Sequence, residues 1–201
     1  MPGSVLISSA YLPPVEYFAL MHSADNILVE REENYQKQTY RNRCCILSAS
    51  CIQTLTVPVY LGSFHKTPLK EIRIDYSKRW QQVHLRALTA SYGSAPFYEF
   101  FFEDFERVIL ENHVLLIDLN SSLMHVAMKI IGLEKKIMFT DTFIPPGRTD
   151  NDFRYAITPK KKSSFNHREY NQVFKHNNQF TGGLSIIDLI FNAGPESVNY
   201  L

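Results

Sequence analysis

Residues 4–31 narrow the choice of fold more than any other part of the chain. "SVLISSA" (4–10) is a short apolar run with no helix former nearby, and it predicts a buried strand. "YLPP" breaks that strand. Pro13 and Pro14 are placed to open a helix, because proline in the first helical turn lacks only an N–H that would have no intrahelical partner. "VEYFALMHSA" (15–24) carries apolar residues at helical spacing, and "DNILVER" (25–31) predicts a second strand. Strand, helix and strand over about 30 residues form a β-α-β unit, which points to the α/β class.

The remaining pattern extends that start. "RCCILSASCIQTLTVPVY" (43–60) predicts a hairpin turning at Ser48–Ser50, with Pro58 ending its second strand or placing it at an edge. "EIRIDY" (71–76) alternates and predicts another strand. From Trp80 the period becomes helical. "RWQQVHLRALTASYG" ends near Gly93, the Phe-rich "APFYEFFFEDFERVIL" follows, and "DLNSSLMHVAMKIIGL" (118–133) closes on Gly132 as a left-handed cap. "KKIMFT" predicts a returning strand. Residues 141–183 are polar and loop-like, but Phe153, Tyr155, Ile157, Tyr170, Val173 and Phe174 predict that they pack against something. Ser185 and Asp188 are spaced like a capping box, and Gly194 and Pro195 end a last helix. The expected fold class is α/β: a small mixed sheet with an N-terminal β-α-β unit, a helical middle and a C-terminal closing segment. The expected organisation is one domain over 1–201, with a core at 1–140 and an extension at 141–201 packing on it.

Composition sets limits on function. Apolar residues make up 45 %, enough for a core. A formal charge of +1 supplies no global field for nucleic acid or an acidic membrane, so anion binding has to be local. No stretch approaches the roughly 20 apolar residues of a membrane span. The N-terminus has no basic n-region, and the three clustered cysteines do not suit a secreted disulfide framework, so the expected location is cytoplasmic. The turn after the first strand lacks a glycine-rich fingerprint, which argues against a dinucleotide; the cofactor is left unknown.

The chemistry concentrates in "ENYQKQTYRNRCCIL" (33–47). Extended, this stretch puts Lys37, Arg41 and Arg43 on one face; helical, it still pairs Lys37 with Arg41. Arginine offers a planar fork to carboxylate or phosphate, and Tyr35 and Tyr40 offer rings and hydroxyls. One reading is an anion site at the end of a strand, where open α/β sheets place ligands. The other is a solvated basic edge with Glu30, Glu32 and Glu33 as ion-pair partners. The seven histidines, His22, His65, His84, His113, His125, His167 and His176, show no metal-ligand spacing. His84 is the best placed as a general base, against a structural role in the core. Cys44 and Cys45 point to opposite faces of a strand and do not chelate together. "NDFRYAITPKKK" (151–162) brings Asp152, Arg154 and Lys160 into a loop that can close over an anion, while Lys161 and Lys162 read as solvated.

Several of these pieces together carry a resemblance: "YLPPVEYF" followed by "AD", "YQKQTYRNRCCIL", "LTVPV", the Trp80–His84 helix, "SYGSAPFYEFF", "DLN", "DFR…I…PKK", and the ending "QVF…F…LSIIDLIFNAGPE". They span nearly the whole chain, and the chain resembles the WbqC-like family of bacterial surface-polysaccharide clusters, in its Bacteroides-type form. Glu16 departs from the pattern, since many relatives carry Gly there. The resemblance implies work on a polysaccharide precursor of the O-antigen kind. The expectation is a transferase-type enzyme that takes a small anionic substrate, such as a nucleotide-linked sugar or an acyl or aminoacyl donor. Lys37, Arg41 and Arg43 would hold the anion, and Asp152, Arg154 and Lys160 would bind from the loop that closes over it. Tyr11, Tyr40 and Asn42 would orient the acceptor, and His84 or Asp25 would serve as base. The alternative is a non-catalytic accessory protein that binds a partner biosynthetic enzyme. Neither reading includes nucleic acid or a membrane span.

Overall fold

The computed structural model describes residues 3–60, 66–161, 163–175 and 179–201. His65, Lys162 and His176 lie outside them. The fold is mixed α/β. Strand β1 (Ser4–Ser8), helix α1 (Val15–Ser23) and strand β2 (Asn26–Glu30) form the anticipated unit, and β1 and β2 pair in parallel with Ser4 opposite Asn26 and Ser8 opposite Glu30. Parallel strands are covered on both faces, which is why both read as near-continuous apolar runs. The hairpin is β3 (Arg43–Leu47) with β4 (Ile52–Thr56), closed by Ser48 N–H donating to the Cys51 carbonyl at 3.0 Å.

Helices α2 (Trp80–Tyr92), α3 (Tyr98–Leu110) and α4 (Leu116–Ile131) follow. On α2 the buried Trp80, His84, Leu85, Leu88 and Tyr92 make a stripe at helical spacing. Gly132 ends α4 at φ 74°, a backbone angle that costs glycine little. Strand β5 (Ile137–Phe139) joins β2 in parallel, giving the order β1-β2-β5. The chain then crosses to the other edge of the sheet. Leu6 N–H donates to the Asn151 carbonyl at 2.9 Å, and Phe153 N–H donates to the Leu6 carbonyl at 2.8 Å. The polar stretch 141–183 therefore adds one bridge beside β1 before the last helix, α5 (Ile186–Ala193), enters the core.

Two expectations change. Residues 71–76 do not form a strand: a short 3₁₀ turn at Leu69–Glu71 precedes single bridges from Arg73 to Leu115 and from Ile74 to Val59. Alternation marks the buried Ile72 and Ile74, but each meets a different partner. Ser185 does cap α5, accepting from Ile187 N–H, yet Asp188 does not return the bond. Its buried carboxylate instead accepts from the Tyr170 hydroxyl at 2.7 Å and from Gln172 Nε2 at 3.0 Å, which ties the extension to the helix. The turn from β1 to α1 is held by the same region. Ile186 N–H donates to Pro13, and Ser185 Oγ donates to the carbonyl of Leu12, a buried leucine at φ 41°. A left-handed leucine is costly and persists only where its surroundings fix it.

Candidate functional site

The parallel strands end side by side at Ser8, Glu30 and Phe139, and open α/β sheets bind ligands at that carboxyl edge. Two arginines arrive there from opposite directions. Arg41 comes from the segment after β2 and Arg154 from the extension beside β1. Arg41 donates through Nε to Glu33 at 3.0 Å, and its Nη2 lies 2.8 Å from each Glu33 oxygen and 2.6 Å from Ser8 Oγ. Ser8 Oγ donates in turn to Glu33 at 2.6 Å. Arg154 donates through Nε to Asp152 at 2.8 Å and through Nη1 to Glu30 at 3.2 Å. Glu30 is further satisfied by the Thr140 hydroxyl at 2.6 Å and by the N–H groups of Glu32 and Ile144, each at 2.9 Å.

All four principal side chains are withdrawn from water, with side-chain exposures of 3 % for Arg41, 1 % for Glu33 and 0 % for both Arg154 and Glu30. Ionised groups tolerate such burial only when paired and fully hydrogen-bonded. The Arg154 guanidinium holds the Asp152 carboxyl below its ordinary pKa, and Asp152 holds Arg154 above its own. Tyr155 lies over both cations, its ring centroid 5.9 Å from the Arg41 guanidinium carbon and 5.4 Å from that of Arg154. Tyr155 is 37 % exposed, so the network opens to solvent at its ring.

The expected site residues divide. Arg41, Asp152 and Arg154 converge in this network. Lys37 stands exposed, because residues 36–42 form neither strand nor helix but turns, with Gln38 at φ 58° and the Thr39 hydroxyl donating to the Gln36 carbonyl. The shared face of Lys37, Arg41 and Arg43 is therefore corrected. Arg43 is half-buried on β3, and Lys160 is exposed. Asn42 is buried and donates to the Val57 carbonyl at 2.8 Å. Tyr40 lines a different cavity, beside Glu16 and Cys45. Asp25 is exposed before the first residue of β2, at the far end of the sheet from Arg41. His84 is 2 % exposed, with Nδ1 2.8 Å from the Tyr11 hydroxyl and its ring edge-on to Trp80. Burial pushes its pKa down to about 4, against the pull of the Thr56 backbone, and burial raises the pKa of Tyr11. The pair is a neutral hydrogen bond inside the core with no surface from which to take a substrate proton, which corrects the base role of His84 and the acceptor role of Tyr11, while Asp25 stands apart because it lies at the other end of the sheet.

Ser8, Tyr155 and the buried role of Glu30 and Glu33 were missing from the sequence reading. The signal for the carboxylates was present, since Glu30 ends β2 and Glu33 follows it, at the edge where Arg41 arrives. Among the described residues, no group of three His, Cys, Asp or Glu side chains is arranged to hold a metal ion, and no helix is long and apolar enough to cross a membrane.

Comparison with known proteins agrees with this chain-wide arrangement. The model of the WbqC-like protein family matches residues 8–163 and 156–200. The chain belongs to the WbqC-like protein family. An uncharacterized protein of Mycobacterium tuberculosis is 26 % identical over 228 residues, covering 100 % of this chain and 98 % of that relative. No solved structure matches. The family match takes in both arms of the arginine network, from Ser8 through Arg154.

Proposed function

We propose that this WbqC-like protein is a transferase of bacterial surface-polysaccharide biosynthesis that binds an activated anionic donor at the carboxyl edge of its parallel sheet. The observation that carries the reading is the convergence of Arg41 and Arg154 beneath one half-open tyrosine. Carboxylates lock both guanidiniums, so their remaining donors are oriented before a ligand arrives. Arg41 engages Glu33 and Ser8 through Nε and Nη2, and its Nη1 is the donor proposed to meet a phosphate or carboxylate. The network carries three carboxylates against two guanidiniums, which limits how much anion it accepts at depth. The rest of a donor such as a nucleotide-linked sugar or an acyl or aminoacyl phosphate lies outward, where Tyr155 can stack a ring and the exposed Lys37 and Lys160 add point charges. The accessory-protein reading is favoured by one feature, the 73 % exposed Phe100 on α3.

A thermal-shift panel of nucleotides, nucleotide-sugars and acyl phosphates on the wild type and on Tyr155→Ala tests the reading. A ligand at a hundred times its Kd stabilises by about 2.7 kcal/mol. A shift that disappears in Tyr155→Ala supports the donor site. A shift that survives intact places the anion elsewhere and defeats it.

A further inference from the structure

A second site lies apart from the arginines. Glu16, in the first turn of α1, stands between two cavities and lines both. One, of about 490 Å³, is walled by the β3–β4 hairpin and the C-terminal segment; the other, of about 590 Å³, runs from α1 to residues 153–165. Ser163 Oγ donates to the Glu16 carboxylate, and the two side chains together separate the cavities.

The smaller cavity has an unusual wall for its size. Phe165, Phe180 and the ring of Tyr40 supply flat apolar surface, and Glu16, the Tyr40 hydroxyl and His167 supply polar groups. Burial raises the Glu16 carboxyl above its ordinary pKa and lowers that of the His167 imidazole, which is therefore neutral at neutral pH. Burial, with Cys45 and Glu16 nearby, also raises Tyr40, so its hydroxyl keeps its proton. Among the described residues Glu16 makes no salt bridge, and His167 Nε2 is buried without a hydrogen-bond partner. His167 reaches this position only because residue 182 is glycine: a Cβ there would stand 2.6 Å from the His167 ring.

The wall discriminates among ligands. An inorganic or organic anion meets the Glu16 carboxylate, and among the described residues lining the cavity the one lysine is the exposed Lys161. An aliphatic chain fills the volume but leaves the carboxylate, the phenol and the imidazole without new partners, which costs free energy for each polar group desolvated. A ring that carries several hydroxyls around an apolar face satisfies both halves of the wall. We propose that the cavity beside Tyr40 binds a neutral monosaccharide, with Glu16 and Tyr40 bonding its hydroxyls and Phe165 or Phe180 packing on its apolar face. His167, whose ring stands against Gly182, walls the cavity behind that sugar ring. The site is independent of the donor site proposed above.

Cys45 reports on occupancy. It lines this cavity and is half-exposed, whereas Cys51 is exposed and outside it, and Cys44 is buried. The intact chain is treated with iodoacetamide, and alkylation at Cys45 and Cys51 is followed by mass spectrometry. Methyl glucoside, methyl galactoside and N-acetylglucosamine are added in turn, with octanoate and inorganic phosphate as contrasts. The expected result is a several-fold slowing at Cys45 by at least one sugar, no change at Cys51, loss of the effect in Glu16→Ala, and its retention in Tyr155→Ala. Retention there separates this site from the donor site. The proposal is overturned by no protection from any sugar, by protection from octanoate or phosphate instead, by protection that survives Glu16→Ala, or by a Cys45 that does not label without ligand, which would show the cavity closed.

Discussion

Two polar clusters are buried in this molecule, and they are built on opposite terms. At the sheet's carboxyl edge Arg41, Glu33, Arg154, Asp152 and Glu30 form ion pairs, three carboxylates to two guanidiniums, with the part-exposed ring of Tyr155 over both arginines. Behind it Tyr11 and His84 are neutral, closed in by Trp80, and joined by a hydrogen bond of 2.8 Å. The difference teaches what burial selects. A charge is kept inside only with its partner in place, whereas a group that can discard its charge does so. The cluster beneath the part-exposed tyrosine is the one proposed to take a ligand, and the closed one belongs to the core.

The strongest way to break the comparison is to orphan a charge. Glu33→Ala leaves Arg41 buried without its carboxylate and is expected to cost about 3–5 kcal/mol, lowering the melting temperature by roughly 10 °C in calorimetry. Replacing both partners with apolar residues of similar volume should recover most of that loss. If the single and double variants melt together, the pair is not the strained element described.

Acid separates the clusters next. Folded His84 binds fewer protons than unfolded histidine between pH 6.5 and about 4, so its contribution is complete above that window and is lost as pH falls through it. The expected loss is about 3 kcal/mol by urea denaturation, and His84→Gln should flatten the curve there. Asp152 has a depressed pKa, so its contribution persists through this window and disappears only below the ordinary carboxylate range. Equal acid sensitivity of wild type and His84→Gln between pH 6.5 and 4 would contradict the neutral assignment.

Smaller effects sharpen the outlet. Tyr155→Ala removes a part-exposed ring and should cost about 1 kcal/mol of stability while removing anion binding. Lys37→Ala, at an exposed position, should leave stability within about 0.5 kcal/mol and weaken anion binding only at low salt.

The regular elements were legible because their signals are local. The apolar runs of β1 and β2, the prolines before α1, the stripe on α2 and Gly132 after α4 each act within a few residues. The site was legible in part. Arg41, Asp152 and Arg154 could be named from their chemistry, but their burial could not, since Arg154 meets a carboxylate 124 positions away at Glu30. The pairing of Glu33 with the basic stretch was foreseen as a solvated contact. It lies inside because the chain at 36–42 turns back on itself, which neither a strand nor a helical period would suggest. Glu16 showed only as a departure from the family pattern, and its cavity needs walls from residues 159–184.

The bridge from residues 151–153 to β1 has a consequence for how this molecule behaves toward copies of itself. A strand edge with unpaired N–H and C=O groups is a template for another chain, and β1 is an apolar edge, with Val5, Leu6 and Ile7 in a row. Two hydrogen bonds at Leu6 occupy the middle of it. A chain truncated after residue 140 would lose them together with the arginine that anchors them, and would present that edge to its neighbours. The extension covers that edge as well as carrying Arg154.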